Sequence, residues 1–177
     1  MLHLLKIKEE SEVFNTNHSV DTVEKTIREE IDATFTSKQF NFSGEYQGSM
    51  SYVLKDQFSF MVLKPSFGPL VFLEVHLKKS TQFEEEISSL KVKKRLGKTF
   101  YFHFWFPLFL AFMVFLLISY LYTVNSLAFS FEILFFIGIP ILWGLIIYVV
   151  AYFKLESQVS RFERLLKSNN ISFLEKK

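Results

Sequence analysis

Two stretches with almost no charge constrain this chain more than any other feature. Thr99–Tyr122 runs for 24 residues without a formal charge, and Phe129–Phe153 runs for 25 with Glu132 as its one acidic residue. At about 1.5 Å of rise per residue, either run forms a helix of about 36 Å, enough to cross a hydrocarbon core of about 30 Å with some tilt. The first run holds 14 residues drawn from Phe, Leu, Ile and Val. At about −0.3 to −0.6 kcal/mol each near a helix centre, they outweigh the opposition of His103 and Pro107. A buried helical hairpin of a soluble protein is the competing explanation, and two such runs in 177 residues argue against it.

Charge is distributed around these runs in a pattern of its own. Residues 1–90 carry 9 basic and 14 acidic side chains, a balance of −5. The segment "KVKKRLGK" then adds five cations, Lys91, Lys93, Lys94, Arg95 and Lys98, directly ahead of the first run. Lys154, Arg161, Arg164 and Lys167 follow the second run, and the connecting "TVNSLAFS" has no basic residue. Lys/Arg bias of this kind puts both flanks on the cytoplasmic side of a plasma membrane and the short connection outside. Tyr101, Tyr148 and Tyr152 then fall at the inner interface and Tyr120 and Tyr122 at the outer one, as an aromatic belt requires. The five cations read as a membrane-surface collar, each worth about 1 kcal/mol beside an anionic leaflet. An anionic-lipid headgroup site is the sharper alternative for the same residues. A nucleic-acid binder would carry basic charge over its folded body, which here is acidic, so no nucleic-acid partner is expected.

The first 98 residues read as a small α+β domain. Asp21-Thr22-Val23-Glu24 fits a helix-opening box, with Asp21 as cap and Glu24 reaching back. Val20, Val23, Ile27 and Ile31 then recur at helical spacing. Beyond them the period changes to two, in Phe40, Phe42, Gly44 and Tyr46, in Phe58, Phe60 and Val62, and in Val71, Leu73, Val75 and Leu77. Leu90 and Val92 predict a last strand entering the first apolar run, and a strand is also expected near Leu4–Phe14. "KDQ" at Lys55–Gln57 and "KPSFGP" at Lys64–Pro69 supply turns. The expected fold is a small antiparallel sheet covered by one helix, followed by a two-helix transmembrane hairpin and a juxtamembrane C-terminal helix. The corresponding division is 1–98, 99–153 (spans about 99–122 and 129–153) and 154–177. In the last part Leu155, Val159, Phe162 and Leu166 form an apolar stripe, to dock on the domain or lie at the membrane surface. Asn169-Asn170 should stop that helix, leaving "ISFLEKK" to pair with a sheet edge or hang loose.

Side chains able to carry chemistry are sparse. There is no Cys, which removes disulfides, thiolate metal sites and cysteine nucleophiles. Glu74 and His76 would share one face of a strand as two metal ligands, but no third ligand stands at suitable spacing, and a solvated strand face explains them as well. His103 sits about 7 Å into the first span, where a neutral ring reaching the headgroups is favoured over an intramembrane site. Glu132, near the outer end of the second span, is the other intramembrane candidate. Pro107 and Pro140 each free a backbone carbonyl, and Gly138 and Gly144, six apart, make no GxxxG packing motif. "EEE" at Glu84–Glu86 is simplest as a solvated turn. No P-loop, dinucleotide fingerprint, nucleophile elbow or HExxH helix occurs, so neither catalysis nor a cofactor is expected. The N-terminal "MLHLLKIKEESE" has no long apolar core and no small-residue cleavage site, so no signal peptide is expected.

The segment "FSFMVLKPSFGPLVFLEVHLKK" followed by "SSLKVKKRLGKTFYFHFWFPLFL" presents a strand, a Pro-containing turn, a strand, and a final strand entering the membrane. In this it resembles uncharacterised small bacterial membrane proteins in which a cytosolic α+β domain precedes a two-helix hairpin. The resemblance covers about a third of the chain and implies no activity or site.

The functional expectation is a non-enzymatic integral membrane protein holding a small interaction domain at the inner leaflet. Its partners would be the lipid bilayer and a protein docked on the domain or the C-terminal helix. Two alternatives stand beside it. One helix across a Phe-rich sheet can enclose a pocket for a lipid or small apolar ligand, lined by Phe40, Phe42, Phe58 and Phe60. Two spans can also serve as the subunit of an oligomeric pore or transporter, with Ser119, His103 and Glu132 facing inward.

Overall fold

The alternation around Val71–Leu77 and Leu90–Val92 is realised as two ten-residue strands that pair along their whole length. They form the centre of a computed structural model that describes residues 11–34, 36–48, 50–57, 68–80, 87–124 and 132–176. In chain order the elements are β1 (Ser11–Thr16), α1 (Val20–Asp32), β2 (Phe42–Tyr46), β3 (Ser51–Asp56), β4 (Val71–Ser80), β5 (Ile87–Leu96), α2 (Lys98–Thr123), α3 (Glu132–Ser168) and β6 (Phe173–Lys176). The six strands make one sheet in the order β2-β3-β4-β5-β1-β6, with every neighbouring pair antiparallel. The expected α+β class is therefore observed, with three helices, two of them long and apolar.

Because side chains alternate along a strand, one face of this sheet collects the apolar set. Phe14, Phe42, Tyr52, Leu54, Leu73, Val75, Leu90 and Val92 are all buried on it. Two helices share that face, where one was expected. α1 contributes Val20, Val23 and Ile27, and the C-terminal part of α3 contributes Leu155, Val159, Phe162 and Leu166. The predicted stripe of the tail is thus a second cover for the sheet, and it supplies four core residues.

Local chemistry sets the ends of α1 differently from the sequence expectation. Ser19, not Asp21, is the N-cap: it is extended, and its Oγ accepts from the Thr22 amide at 3.3 Å. Asp21 lies in the first turn, where a carboxylate favours the helix dipole. The other end is stitched to β2, since Glu30 Oε1 accepts from the Phe40 and Phe42 amides at 3.0 and 3.4 Å. Lys38 adds bonds to the Ile31 and Phe42 carbonyls at 2.8 and 2.6 Å.

Strand boundaries also move. β1 is described over Ser11–Thr16 and overlaps the strand expected near Leu4–Phe14, the rest of which lies outside the described residues. β2 opens at Phe42, after Asn41 takes a left-handed φ of 60°, so Phe40 packs on the core without being in a strand. "KDQ" is not a turn: Lys55 and Asp56 close β3, paired with Ser43 and Phe42. The alternation of Phe58, Phe60 and Val62 falls outside the described residues, as do Lys64–Phe67 of "KPSFGP" and Glu84–Glu86.

α2 and α3 carry the apolar runs, as 26- and 37-residue helices whose hydropathy and length suffice to cross a membrane. α3 does not break at residue 153. At about 1.5 Å per residue it is about 55 Å long, so one continuous helix runs from the apolar pair onto the sheet. It stops where expected: Asn170 adopts φ 61°, and the Ile171 amide returns to the Leu166 carbonyl at 3.0 Å. This pattern, a left-handed residue followed by a long return bond, satisfies the last carbonyls of a helix. β6 follows and pairs with β1, the sheet-edge outcome for "ISFLEKK".

Candidate functional site

Polar side chains concentrate where α3 leaves the apolar pair and meets the sheet. Lys94 lies on β5 opposite Leu73, in the buried register of Leu90 and Val92, and is only 6% exposed. Its ammonium is held 2.7 Å from Glu156 of α3 and 3.1 Å from Glu12 of β1. Burial works against the charge, but the bonds to Glu156 and Glu12 outweigh it and hold the Lys94 pKa above its ordinary value. One buried cation thus ties a helix to two strands.

Asp56, at the end of β3, is the mirror arrangement. Its carboxylate accepts from the Arg161 guanidinium, and Lys154 stands 3.7 Å away. Arg161 also donates to the Phe40 carbonyl at 3.0 Å and lies over the Phe42 ring, 5.1 Å from its centroid. Between the two clusters, Gln158 is fully buried and reaches the Val71 carbonyl at 3.5 Å, while its enclosed Oε1 has no partner among the described residues. α3 is therefore seated by an apolar stripe and flanked on both sides by ion pairs.

A second junction joins β5 to α2. A Cβ on Gly97 would lie 1.8 Å from the Pro69 carbonyl oxygen, so no side chain fits there. The Gly97 amide bonds the Leu70 carbonyl at 2.8 Å and the Thr99 hydroxyl bonds the Gly68 carbonyl at 2.7 Å. The strand consequently enters the helix under a strap formed by residues 68–70.

The five collar cations do not form one surface. A strand alternates, and β5 sends Lys94 to the covered face and Lys91, Lys93 and Arg95 to the open one, while Lys98 opens α2. Arg95 donates to Glu74 at 2.9 Å. Glu74 and His76 do share that open face, but Glu74 is engaged by Arg95, and His76 Nδ1 bonds the Ser51 hydroxyl at 2.7 Å. Among the described residues no cluster of three or more metal-ligating side chains occurs.

Within the apolar pair, α2 and α3 meet along Ala111, Gly144, Ile147 and Ala151. Gly144 faces Phe104 and Leu108, with an ordinary 3.7 Å left for a Cβ. His103 turns toward this seam, its ring 6.5 Å from that of Trp143 and its enclosed Nε2 without a partner among the described residues. Of Glu132 only the backbone is described, as the first residue of α3. Ser119 bonds back to the Phe115 carbonyl of its own helix. Phe42 fills the domain core beneath Arg161, and Phe58 and Phe60 of the suggested pocket are outside the described residues.

Sequence reasoning missed Asp56, Glu156, Gly97 and Ser19. One signal was available: Lys94 sits at two-residue spacing from Val92 and Leu96, which marks it as an inward position needing an anionic partner. No known protein family, curated protein or solved structure matches this chain.

Proposed function

We propose that the chain is a non-enzymatic integral membrane protein that holds a small cytosolic interaction domain at the inner leaflet of the plasma membrane. α2 and the first part of α3 cross the bilayer as a hairpin, with both termini cytoplasmic, as in the small bacterial proteins the sequence resembles. The domain or the C-terminal part of α3 then meets a protein partner, with neither cofactor nor nucleic acid.

One contrast carries this reading. Large apolar side chains point outward around α2 and the first part of α3, among them Trp105 at 59%, Phe136 at 67% and Ile139 at 62% exposed. Among the described residues the sheet domain of the same chain exposes only Tyr46 and Met50 of its large apolar side chains. A helix apolar on every side is stable only inside a protein core or in lipid, and little of this pair is inside a core. The orientation rests on Lys/Arg bias alone. The Lys94 and Asp56 clusters support the anchoring role, since they fix the domain to the helix that would carry it.

Membrane fractionation tests the proposal. The native chain should stay in the pellet after alkaline extraction. Leu142→Arg with Leu145→Arg, at about 2.5–3.5 kcal/mol each near a helix centre, should release it or abolish accumulation. Tags on both termini should be shielded from outside in intact cells. A native chain that is monomeric in water without detergent would sink the proposal.

A further inference from the structure

The sheet face opposite α1 and α3 carries cations without an ion-pair partner among the described residues. Lys91 and Lys93 of β5 and Lys78 of β4 stand there, in register with His76, Glu74 and Ser89 respectively. Of the acidic side chains described there, Glu74 is engaged by Arg95 and Glu45 by Lys55. Among the described residues none of the three lysines forms an ion pair. Lys78, Lys91 and Lys93 line an open depression of ≈580 Å³ whose floor includes Val13, Ser51 and His76. This basic face belongs to a domain, residues 1–98, in which 14 basic and 14 acidic side chains balance.

We propose that this face docks an acidic, extended segment of a partner protein. The inference rests on the anchored-domain function above and names the surface and the partner's chemistry. Alternate side chains of an extended chain repeat at about 6.6–7 Å, which is also the spacing of Lys91 and Lys93 along β5. Lys78 lies on the diagonal from Lys91, about 7–8 Å away. An acid-x-acid segment therefore meets Lys91 and Lys93 one for one, with Lys78 beside them. Other anions fit less well. The strand amides are committed to the ladder, so no backbone cradle exists for a single phosphate. Among the described residues no Phe, Tyr or Trp lines the depression to stack on a base. Lys93 and Lys91 stand about 13 and 20 Å along the strand from Gly97, beyond the Debye length of about 8 Å from where α2 begins.

The test uses the full chain in phosphatidylcholine nanodiscs, titrated with a labelled peptide of alternating Glu and Ser. Binding should weaken with salt. Lys91→Glu with Lys93→Glu should weaken it about tenfold or more, and Lys25→Glu on α1 should leave it unchanged. Lys91→Gln with Lys93→Gln should weaken it in the same direction, with circular dichroism confirming the fold of each variant. Equal affinity in wild type and folded variants would overturn the proposal. So would capture of a single-stranded oligonucleotide, or of phosphatidylserine vesicles, in place of the peptide. Failure of the chain to enter nanodiscs would count against anchoring alone, and the titration would then be made in buffer.

Discussion

The two parts of α3 belong to one unbroken helix and solve opposite problems. From Phe135 to Phe153 its large apolar residues point in every direction, and Ile147 and Ala151 are buried against α2. From Lys154 onward no large apolar side chain is exposed. Leu155, Val159, Phe162 and Leu166 form one stripe against the sheet, and Lys154, Glu156 and Arg161 flank it in ion pairs. Helical backbone satisfies its own hydrogen bonds in either setting, so the difference lies wholly in what surrounds the side chains. Continuity has a mechanical consequence. A displacement of the first part is delivered to the sheet without a hinge between them.

Emptying the stripe should break this arrangement most severely. Phe162→Ala removes a fully buried ring and should cost the domain about 3–5 kcal/mol. Hydrogen exchange should show β4 and β5 amides losing protection while those of α2 keep theirs. Loss of both together would mean that the two parts of α3 do not stand on separate supports.

Removing the cation beside the stripe should have a smaller effect. Lys94→Ala leaves Glu12 and Glu156 facing each other; with Glu156 about half exposed, the loss should be about 2–3 kcal/mol in denaturant unfolding. The sign with pH follows from the raised pKa of Lys94. Its contribution is complete below the ordinary lysine value, and it fades as pH rises through the higher folded value. Wild type should therefore lose stability in alkali through this group, and Lys94→Ala should lack that component. Identical alkaline profiles would remove the triad from the account.

The smallest change sharpens the comparison on the helix that shares the sheet face. Ser19→Ala should destabilise the domain by about 1 kcal/mol, and Asp21→Ala by less, because Ser19 holds the Thr22 amide. The reverse order in thermal unfolding would restore Asp21 as the cap.

Much of the fold was legible in the amino-acid order, and the failures have identifiable causes. β4 and β5 were readable because each alternates cleanly for several residues, and α1 because Val20, Val23 and Ile27 recur at helical spacing. β3 was missed because Lys55-Asp56 resembles a turn, whereas Asp56 at the strand end pairs with Arg161 from 105 residues away. The cap was misassigned by two residues because Ser19 and Asp21 are both good caps, and only the chain's exit from β1 selects between them. The five-cation run concealed a division that period two implies, with Lys94 inward and its neighbours outward.

Length, apolar content and charge order by themselves determined the two long helices, the strand that leads into them and the α+β class. These follow from local periodicity and from the distance a helix spans, neither of which depends on distant residues. Only the tertiary structure decided that α3 covers the sheet beside α1, that Lys94 joins Glu12 and Glu156, that Gly97 lies under the strap at Pro69, and that Lys78, Lys91 and Lys93 gather on one open face. Each of these depends on which residues remote in sequence are brought within a few ångströms. Side-chain alternation limits that choice, and packing completes it.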